Sequence, residues 1–410
     1  MLPARMSDHA KASNRKILIS GAGIAGPTLA WWLLQHGFEP TLVELAPSLR
    51  TGGYIVDFWG TGFEVAQRMG LVPELRDLGY DVEEVRIVNA RGRRCGGFGV
   101  DVFRDATEGK YTSIARGDLA GTIHRSLENR VPIRFGDNVA CMTEDAAGVT
   151  VKFSHSPEQR FDLVVGADGL HSRVRKLAFG DESQFGKPLG YSVAAFECAG
   201  YRPRDENIYI GYSRPGQQVA RFTLRGDRSL FFFIFASDLT LADGLPDSVE
   251  AKRILHAQFD GAGWESAQIL AAMEGVDEIY FDSVSQIHMP AWSRGRVALI
   301  GDAASCPSLL AGEGSALAMT QASVLAGELS AAGGDYRVAF ASYEQRMREF
   351  IDAKQRDAVK FAGAFAPRTA FGVFVRNLIS RTLAIRPVAN YFMAQGVVDD
   401  FDLPDYDRID

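Results

Sequence analysis

The sequence predicts an α/β fold of mixed α+β character, in which two domains are interleaved and followed by C-terminal helices. Three observations predict this fold: an alternation of strands and helices near the N-terminus, a β-rich aromatic stretch over about residues 191–236, and a return to the α/β pattern after Gly295. The 410 residues are enough for two or three domains with a large core. We therefore expect a nucleotide-binding type of core that is interrupted by a β-sheet domain.

Composition and charge narrow the class of protein. The chain is 46% hydrophobic and 23% charged, which is typical of a globular protein. Its formal net charge of -7 argues against a nucleic-acid partner, which clustered lysines and arginines would bind. No apolar run approaches the length of a membrane span, and the first 14 residues lack the apolar region of a secretory signal. We therefore expect a cytoplasmic protein without a membrane span.

The cysteines and histidines do not predict a metal site. The sequence has four cysteines that are separated by 46 residues or more: Cys95, Cys141, Cys198 and Cys306. No CxxC pair is therefore available for zinc, an iron cluster or a redox dithiol. The seven histidines show no metal-ligand spacing either.

The first βαβ unit carries the most informative motif. The chain reads as a strand over 16–20, a helix through residue 34 and a second strand over 40–44. Gly21, Gly23 and Gly26 form G-x-G-x-x-G between the strand and the helix, which allows a tight turn, close approach of a pyrophosphate and close packing. Glu44 ends the second strand, where a carboxylate accepts both ribose hydroxyls and favours FAD or NAD over NADP. The alternative is a structural glycine-rich turn with a solvated glutamate.

Two further motifs follow strands. DLVVGADGLHSRVR, over residues 162–175, contains Asp168 in a glycine turn and Ser172 where it caps a helix. The third motif, over residues 296–317, reads RVALIGDAASCPSLLAGEGSAL. It runs from a predicted strand to a glycine-rich helix N-terminus, which can stabilise negative charge on a ligand. The positions of interest in this third motif are Gly301, Asp302, Pro307, Gly312 and Gly314.

The three motifs, in this order and with a β-rich stretch between the last two, resemble the fingerprints of the class A flavoprotein monooxygenases, the family of para-hydroxybenzoate hydroxylase. The resemblance implies a Rossmann-like FAD-binding domain interleaved with a β-sheet substrate domain, plus C-terminal helices. It implies that Glu44 and the first glycines bind the adenosine end of non-covalent FAD, Asp302 the ribityl chain, and the 312–314 backbone the flavin ring. The implied cofactor-binding residues are Gly21, Gly23, Ala25, Gly26, Glu44, Arg116, Asp168, Gly301, Asp302, Pro307, Gly312 and Gly314.

The resemblance also implies the reaction. NADPH or NADH acts as a transient reductant of FAD, O₂ adds to the reduced flavin, and the flavin hydroperoxide transfers one oxygen to an aromatic, polyketide or tetracycline-like small molecule. The cofactor carries this chemistry, so no catalytic side chain is named. Hydroxylation and Baeyer–Villiger insertion both remain open, as do a monomer and a homodimer.

Some residues depart from the family pattern. Leu45 replaces the basic residue that often follows the ribose-binding acid, and Ser305 stands where many members have histidine. Both departures point away from the phenol hydroxylases. Residues 361–406 are similar to the C-terminal helices of flavin-dependent tetracycline-inactivating enzymes and related polyketide hydroxylases.

The predicted domains are a loose N-terminal tail over 1–14, a FAD-binding domain over 15–180 and 290–360, a β-rich substrate domain over 181–289 with contributions from about 85–110, and C-terminal helices with an acidic tail over 361–410. Substrate is expected between the flavin and the β-rich sheet, although ordinary core packing is an alternative for each candidate. The candidate substrate contacts are Phe196, Tyr212, Phe222, Phe233, Phe235 and His288.

Two other functions compete with a monooxygenase. The same FAD scaffold supports reductases and other flavin oxidoreductases that insert no oxygen. A non-catalytic flavin protein that sequesters a polycyclic ligand on the aromatic sheet is the second alternative.

Overall fold

The chain folds around two large sheets, in a computed structural model that describes residues 13–49, 52, 54–239, 244–383 and 399–406. The strands β1 to β18 span Lys16–Ser20, Glu39–Glu44, Ile55–Trp59, Glu84–Val88, Arg94–Gly99, Tyr111–Ala115, Ile133–Phe135, Val139–Asp145, Gly148–Phe153, Gln159–Phe161, Leu163–Gly166, Gly186–Ala199, Ile208–Arg214, Gln217–Leu224, Arg228–Ala236, Tyr280–Ile287, Ser293–Arg294 and Val297–Leu299. The helices α1 to α12 span Ala25–Gln35, Gly60–Arg68, Val72–Leu78, Asp101–Ala106, Arg116–Arg125, Arg173–Ala178, Ser248–Phe259, Ser266–Met273, Asp302–Ser305, Gly314–Ala331, Tyr336–Phe365 and Ala370–Thr382.

The first sheet has the strand order β17-β18-β11-β1-β2-β7. Strand β1 pairs in parallel with β2 and β11, and β11 pairs in parallel with β18. The strands of this sheet read as continuous apolar runs because helices cover it; Ile17, Leu18 and Ile19 are fully buried. The carboxyl ends of β1, β2, β11 and β18 therefore meet at one edge, and the predicted α/β fold is confirmed.

The second sheet has the order β16-β12-β15-β14-β13-β4-β5. Its strands β4 and β5 come from residues 84–99, whereas the other five come from residues 186–287. Helices α7 and α8 cover one face, and the two-stranded ribbon of β3 and β6 lies toward the other face. Two separate segments of the chain therefore contribute strands to this sheet. A layer of side chains is packed between the sheet and the β3–β6 ribbon.

The two ends of the described chain are attached to the body. The amide of Ser13 donates to the carbonyl of Gly333 at 3.0 Å, and Asn14 Nδ2 donates to the carbonyl of Gly334 at 2.9 Å. Residues 13 and 14 are therefore held, contrary to the prediction of a loose tail over 1–14; residues 1–12 lie outside the described part. No helix within the described ranges is long and apolar enough to cross a membrane.

The segment 399–406, predicted as acidic tail, also packs on the body. The ring of Phe401 stacks on Phe350 with centroids 4.9 Å apart, and Leu403 is buried. The hydroxyl of Tyr406 donates to Glu328 Oε1 at 2.7 Å. Apolar residues between the aspartates attach this segment, while residues 384–398 and 407–410 lie outside the described part.

Candidate functional site

The three motifs meet at the carboxyl edge of the first sheet. The amide of Ala167 donates to the carbonyl of Ser20 at 2.7 Å, which joins the first motif to the second. The amide of Ile300 donates to the carbonyl of Gly166 at 2.9 Å, which joins the second to the third. Adjacent parallel strands thus bring together segments that are more than 100 residues apart in the chain.

The glycines of the first motif have two different roles. Gly21 has a φ of +107°, and a Cβ there would lie 2.3 Å from the carbonyl oxygen of Ala167. A Cβ on Gly26 would lie 2.0 Å from the carbonyl oxygen of Gly21. Beside Gly23, by contrast, the nearest atom of the described residues to such a Cβ is Arg116 Nη2, at 3.6 Å. Gly21 and Gly26 therefore close the turn, and Gly23 leaves space in front of α1.

The N-terminus of α1 suits a phosphate. Its N-cap residue, Ile24, makes no side-chain hydrogen bond to the first turn. The amides of that turn and the positive end of the helix dipole remain available for an anion. Together with the space beside Gly23, this is the arrangement that a pyrophosphate requires, so the residues present fit a dinucleotide such as FAD.

Glu44 lies next to this turn at the end of β2. Its Oε2 accepts from the amide of Ala22 at 2.8 Å, and its Oε1 accepts from the amide of Ala46 at 2.9 Å. A carboxylate has about four lone-pair positions, so both oxygens keep capacity for the hydroxyls of a ribose. The backbone thus orients the acid where the sequence predicted it.

The third motif contributes a carboxyl group and a second helix N-terminus. Asp302 begins α9, and burial raises the pKa of its carboxyl while the Arg116 guanidinium opposes the shift. A Cβ on Gly314 would lie 3.7 Å from Asp302 Oδ1, with no nearer neighbour, so space is left at the start of α10. Glu313, the N-cap of α10, makes no side-chain hydrogen bond to that helix. Arg116, Asp302 and the α10 N-terminus therefore surround one space.

Aromatic side chains line a cleft beside this space. The ring of Tyr54 lies 6.2 Å from that of Phe232 and 6.0 Å from that of Tyr280. Burial raises the pKa of both tyrosines, yet Tyr280 is 38% exposed. A side chain that is surrounded by protein and still reachable by water lies in a cleft. This cleft adjoins the space at Asp302, whose carboxylate acts on the pKa of both tyrosines.

Most of the predicted substrate contacts lie on the face of the second sheet that α7 and α8 cover. Phe196, Phe233 and Phe235 are buried with side chains of α7 and α8, and Tyr212 packs against the same cluster. In a strand, neighbouring side chains point to opposite faces, so Phe232 faces the cleft while Phe231 and Phe233 face the helices. These four residues take part in core packing, and their role as substrate contacts stays a prediction.

The other two candidates differ from each other. Phe222 lies on the cleft side, with Tyr209 at 4.5 Å between ring centroids. His288 is exposed and hydrogen-bonded through Nε2 to Gln286 Oε1 at 3.0 Å. Since Gln286 turns toward α11 and donates to the carbonyl of Gln355, His288 lies outside the cleft. The role of His288 as a substrate contact stays a prediction.

Three predicted cofactor residues serve the architecture of the site. Asp168 Oδ1 accepts from the hydroxyl of Ser172 at 2.5 Å, and its Oδ2 accepts from the amide of Val174 at 3.0 Å. Asp168 therefore holds the start of α6. Ala25 is buried, and a Cβ on Gly301 would lie 3.3 Å from its methyl group.

Pro307 lies in the loop after α9. It is buried, and its carbonyl accepts from Gln286 Nε2 at 2.8 Å. Asp168, Ala25 and Pro307 stay predictions as FAD contacts.

Sequence reasoning missed a charged network that joins the second motif to the second sheet. His171 Nδ1 lies 3.0 Å from Glu182 Oε1, and its Nε2 lies 3.4 Å from Asp282 Oδ1. Glu182 also pairs with the fully buried Arg175, which donates to the carbonyl of Ala303 at 3.0 Å. Only the motif position of His171 and Arg175 was visible in the sequence. Glu182 follows the motif closely, but Asp282 comes from β16, 111 residues after His171, and only the fold brings it to the histidine.

The His171 network predicts a loss of stability at alkaline pH. The carboxylates of Asp282 and then Glu182 raise the pKa of His171 to about 9, above its ordinary value of 6.5. The folded state therefore holds the proton more tightly, so this contribution is complete below about pH 6.5 and is lost as the pH rises through about 9. We expect the free energy of unfolding to fall over this range in the wild type and to fall less in His171→Gln, as measured by urea titration.

A second histidine serves as the control for that experiment. Burial lowers the pKa of His288, so its titration adds no stability that alkaline pH removes. His288→Gln should keep the alkaline loss of the wild type. An undiminished loss in His171→Gln would contradict the assignment.

Comparison with known proteins decides the family. The profile of a family described as FAD binding domain matches residues 14–355. The chain belongs to this family, the class A flavin monooxygenases. A flavin-dependent monooxygenase of an unknown prokaryotic organism is 35% identical over 355 residues, which cover 85% of this chain and 89% of the relative. A flavin-dependent monooxygenase of Legionella longbeachae serogroup 1 (strain NSW150) is 32% identical and covers 97% of this chain and 99% of its own.

Solved structures of other proteins agree with the fold. The crystal structure of tetracycline destructase Tet(55) has a TM-score of 0.80 and 31% identity, and covers 96% of this chain and 99% of its own. Klebsiella pneumoniae HpxO, in complex with FAD and uric acid, has a TM-score of 0.74 at 22% identity and covers 94% of this chain and 98% of its own, which supports the fold alone. The predicted family, the FAD cofactor and the enzyme class are thereby confirmed: the chain is a FAD-dependent flavoprotein monooxygenase.

Proposed function

We propose that this monooxygenase uses NADPH or NADH and O₂ to hydroxylate a multi-ring phenol or enol of the polyketide or tetracycline type. The observation that carries the proposal is the aromatic cleft of Tyr54, Phe232 and Tyr280, which opens on the space between Asp302 and the start of α10. Flat aromatic walls suit a flat, multi-ring ligand. The similarity to a tetracycline destructase supports the same substrate class.

The cofactor end of the site accounts for binding and orientation. The turn at Gly21 and Gly26, with the N-terminus of α1, would hold the pyrophosphate, and Glu44 would hold the adenosine ribose. Asp302 would accept hydrogen bonds from the ribityl hydroxyls. When bound and reduced, FAD supplies the electrons with which O₂ is activated for oxygen insertion.

The protein then controls charge and water at the flavin ring. The N-terminus of α10 points its free amides and dipole at the space beside Gly314, where they stabilise negative charge. The guanidinium of Arg116, which lies near Gly23 and acts on the carboxyl of Asp302, adds a positive charge to the same space. Aromatic side chains of the cleft exclude water from a bound substrate.

The proposal is tested by screening for NAD(P)H consumption that depends on substrate, coupled to product mass. FAD-loaded protein is mixed with NADPH or NADH and a panel of tetracyclines, polyketide phenols and simple phenols. We expect at least one multi-ring phenol or enol to accelerate consumption and to gain one oxygen atom. A product that gains two hydrogens would favour the reductase alternative, and a colourless protein that cannot be reconstituted with FAD would refute the proposal.

A further inference from the structure

Strand β3 presents alternate side chains to two different layers. Val56 and Phe58 are buried in the core of the first sheet's domain. Ile55 and Trp59 pack in the layer between the β3–β6 ribbon and the second sheet. Asp57 has the same parity as these two residues and therefore faces that layer. A carboxylate in an otherwise aromatic and aliphatic layer is costly to bury unless hydrogen bonds or an opposite charge compensate for its lost hydration.

The partners of Asp57 are hydroxyl groups on β6. Tyr111 donates to Asp57 Oδ1 at 2.6 Å and Ser113 donates to the same oxygen at 2.5 Å, while the two hydroxyl oxygens lie 2.8 Å apart. Among the residues that the structure describes, none donates a hydrogen bond to Oδ2. A carboxylate oxygen without a donor keeps its full acceptor capacity for a ligand.

In the described part of the chain, no cation neutralises the Asp57 carboxylate at short range. Over the described ranges, no lysine, arginine or histidine nitrogen lies within 4.0 Å of it. Two charged or titratable groups lie around this cluster. The guanidinium of Arg104 in α4 acts to lower the pKa of Tyr111. The hydroxyl of Tyr209 in β13 interacts electrostatically with both Tyr111 and Asp57. Tyr80 in turn acts to raise the pKa of Tyr209. Burial raises the pKa of the Asp57 carboxyl, and the hydrogen bonds from Ser113 and Tyr111 oppose the shift.

The position of Asp57 also fits the proposed cleft. The side chain is surrounded by protein but keeps part of its surface accessible to solvent, as do Tyr54 and Tyr209. Two residues further along β3, the ring of Trp59 lies 3.8 Å from the position of a Cβ on Gly312, in the loop expected beside the flavin ring. Asp57 therefore lies on the strand that connects the aromatic cleft with this loop.

We propose that Asp57 binds the hydroxyl group of a phenolic or enolic substrate through Oδ2 and accepts its proton, while Tyr111 and Ser113 hold Oδ1. This proposal rests on the proposed function. The proton leaves the substrate O–H bond and bonds to Oδ2, and the electron pair stays on the substrate oxygen. The electron density of the conjugated carbon that receives the oxygen atom rises as a result. The site then selects free phenols and enols over their methyl ethers.

The test is a binding experiment on the FAD-loaded protein without NAD(P)H, with 2-naphthol and 2-methoxynaphthalene as probes. Between about pH 6 and pH 9 a simple phenol of this kind remains protonated and an aspartate can ionise. We expect equilibrium dialysis to show that the wild type prefers the phenol by about tenfold or more, the range of a hydrogen bond to a charged group. The preference should be lost in Asp57→Asn and retained in Asp105→Asn, a control at an exposed aspartate of α4.

A second variant keeps the proposal testable if Asp57→Asn folds poorly, which FAD retention and thermal unfolding would reveal. Tyr111→Phe leaves the carboxylate but removes a donor that lowers its pKa. The pH at which the preference for the phenol appears should therefore move upward in Tyr111→Phe, a shift that loss of packing alone does not produce. No preference in the wild type, or an unchanged preference in Asp57→Asn, would overturn the proposal. Because no turnover is measured, this outcome is independent of whether oxygen insertion is found.

Discussion

Replacing Gly26 with alanine is expected to yield a protein that retains no FAD after purification. The added Cβ would lie 2.0 Å from the carbonyl oxygen of Gly21 and 3.2 Å from Leu42 Cδ2. The carbonyl belongs to backbone that cannot rotate away, so the turn itself must shift. That shift displaces the amides that would face the pyrophosphate of FAD, and we expect the FAD dissociation constant to rise by at least about a hundredfold, or about 2.7 kcal/mol. The ratio of flavin to protein absorbance measures the outcome.

The matched control for this substitution is Gly363→Ala. Gly363 lies in α11, has nothing within 4 Å of an added Cβ and does not have a positive φ. Alanine there should leave FAD binding unchanged and stabilise the helix by about 0.5–1 kcal/mol. A Gly26→Ala protein that keeps a full complement of FAD would show that the turn tolerates displacement, contrary to the close packing in the structure.

Replacing Lys354 with methionine is expected to destabilise the protein by about 3–5 kcal/mol at neutral pH. Lys354 Nζ lies 2.9 Å from Glu313 Oε2 and 2.6 Å from Asp399 Oδ1, and all three side chains are less than 15% exposed. Asp399 Oδ2 in turn accepts from the amide of Thr61 at 2.7 Å. Without the lysine, the buried carboxylates of Glu313 and Asp399 face each other at the N-terminus of α10.

The pH dependence of that variant follows from the same charges. Burial raises the pKa of Glu313, and the Lys354 ammonium opposes the shift. Removal of the ammonium raises this pKa further, so the folded variant takes up a proton more readily than the unfolded chain. The deficit in free energy of unfolding should therefore shrink as the pH falls below neutral, as measured by urea titration.

Two further variants separate this effect from a general loss of charge. Lys354→Met combined with Asp399→Asn removes one of the opposed carboxylates and should recover part of the stability. Lys152→Met removes a lysine that pairs with Glu158 at 3.7 Å on the surface, and should change stability by less than about 1 kcal/mol. A deficit in Lys354→Met that does not vary with pH would contradict the assigned carboxylate repulsion.

The dinucleotide half of the site was predictable because its geometry is local. The strand, the turn of Gly21 to Gly26 and α1 are contiguous, and the turn requires glycine for reasons that any G-x-G-x-x-G between strand and helix shares. Glu44 follows from the length of one βαβ unit. The substrate half was not predictable in this way. In the run of aromatic residues on β15, Phe231 and Phe232 look alike in sequence, but adjacent residues face opposite sides of the sheet.

The sequence by itself determined the α/β fold, the family, the FAD cofactor and the class of reaction, because each depends on short motifs with fixed backbone requirements. The tertiary structure decided which aromatic face lines the cleft, that Asp57 meets Tyr111 and Ser113, and that Asp399 reaches Lys354. These contacts join strands or segments that lie far apart in the chain. The physical reason is that a motif constrains its own backbone, whereas a buried charge or an aromatic wall acquires its role only from the groups that packing places against it.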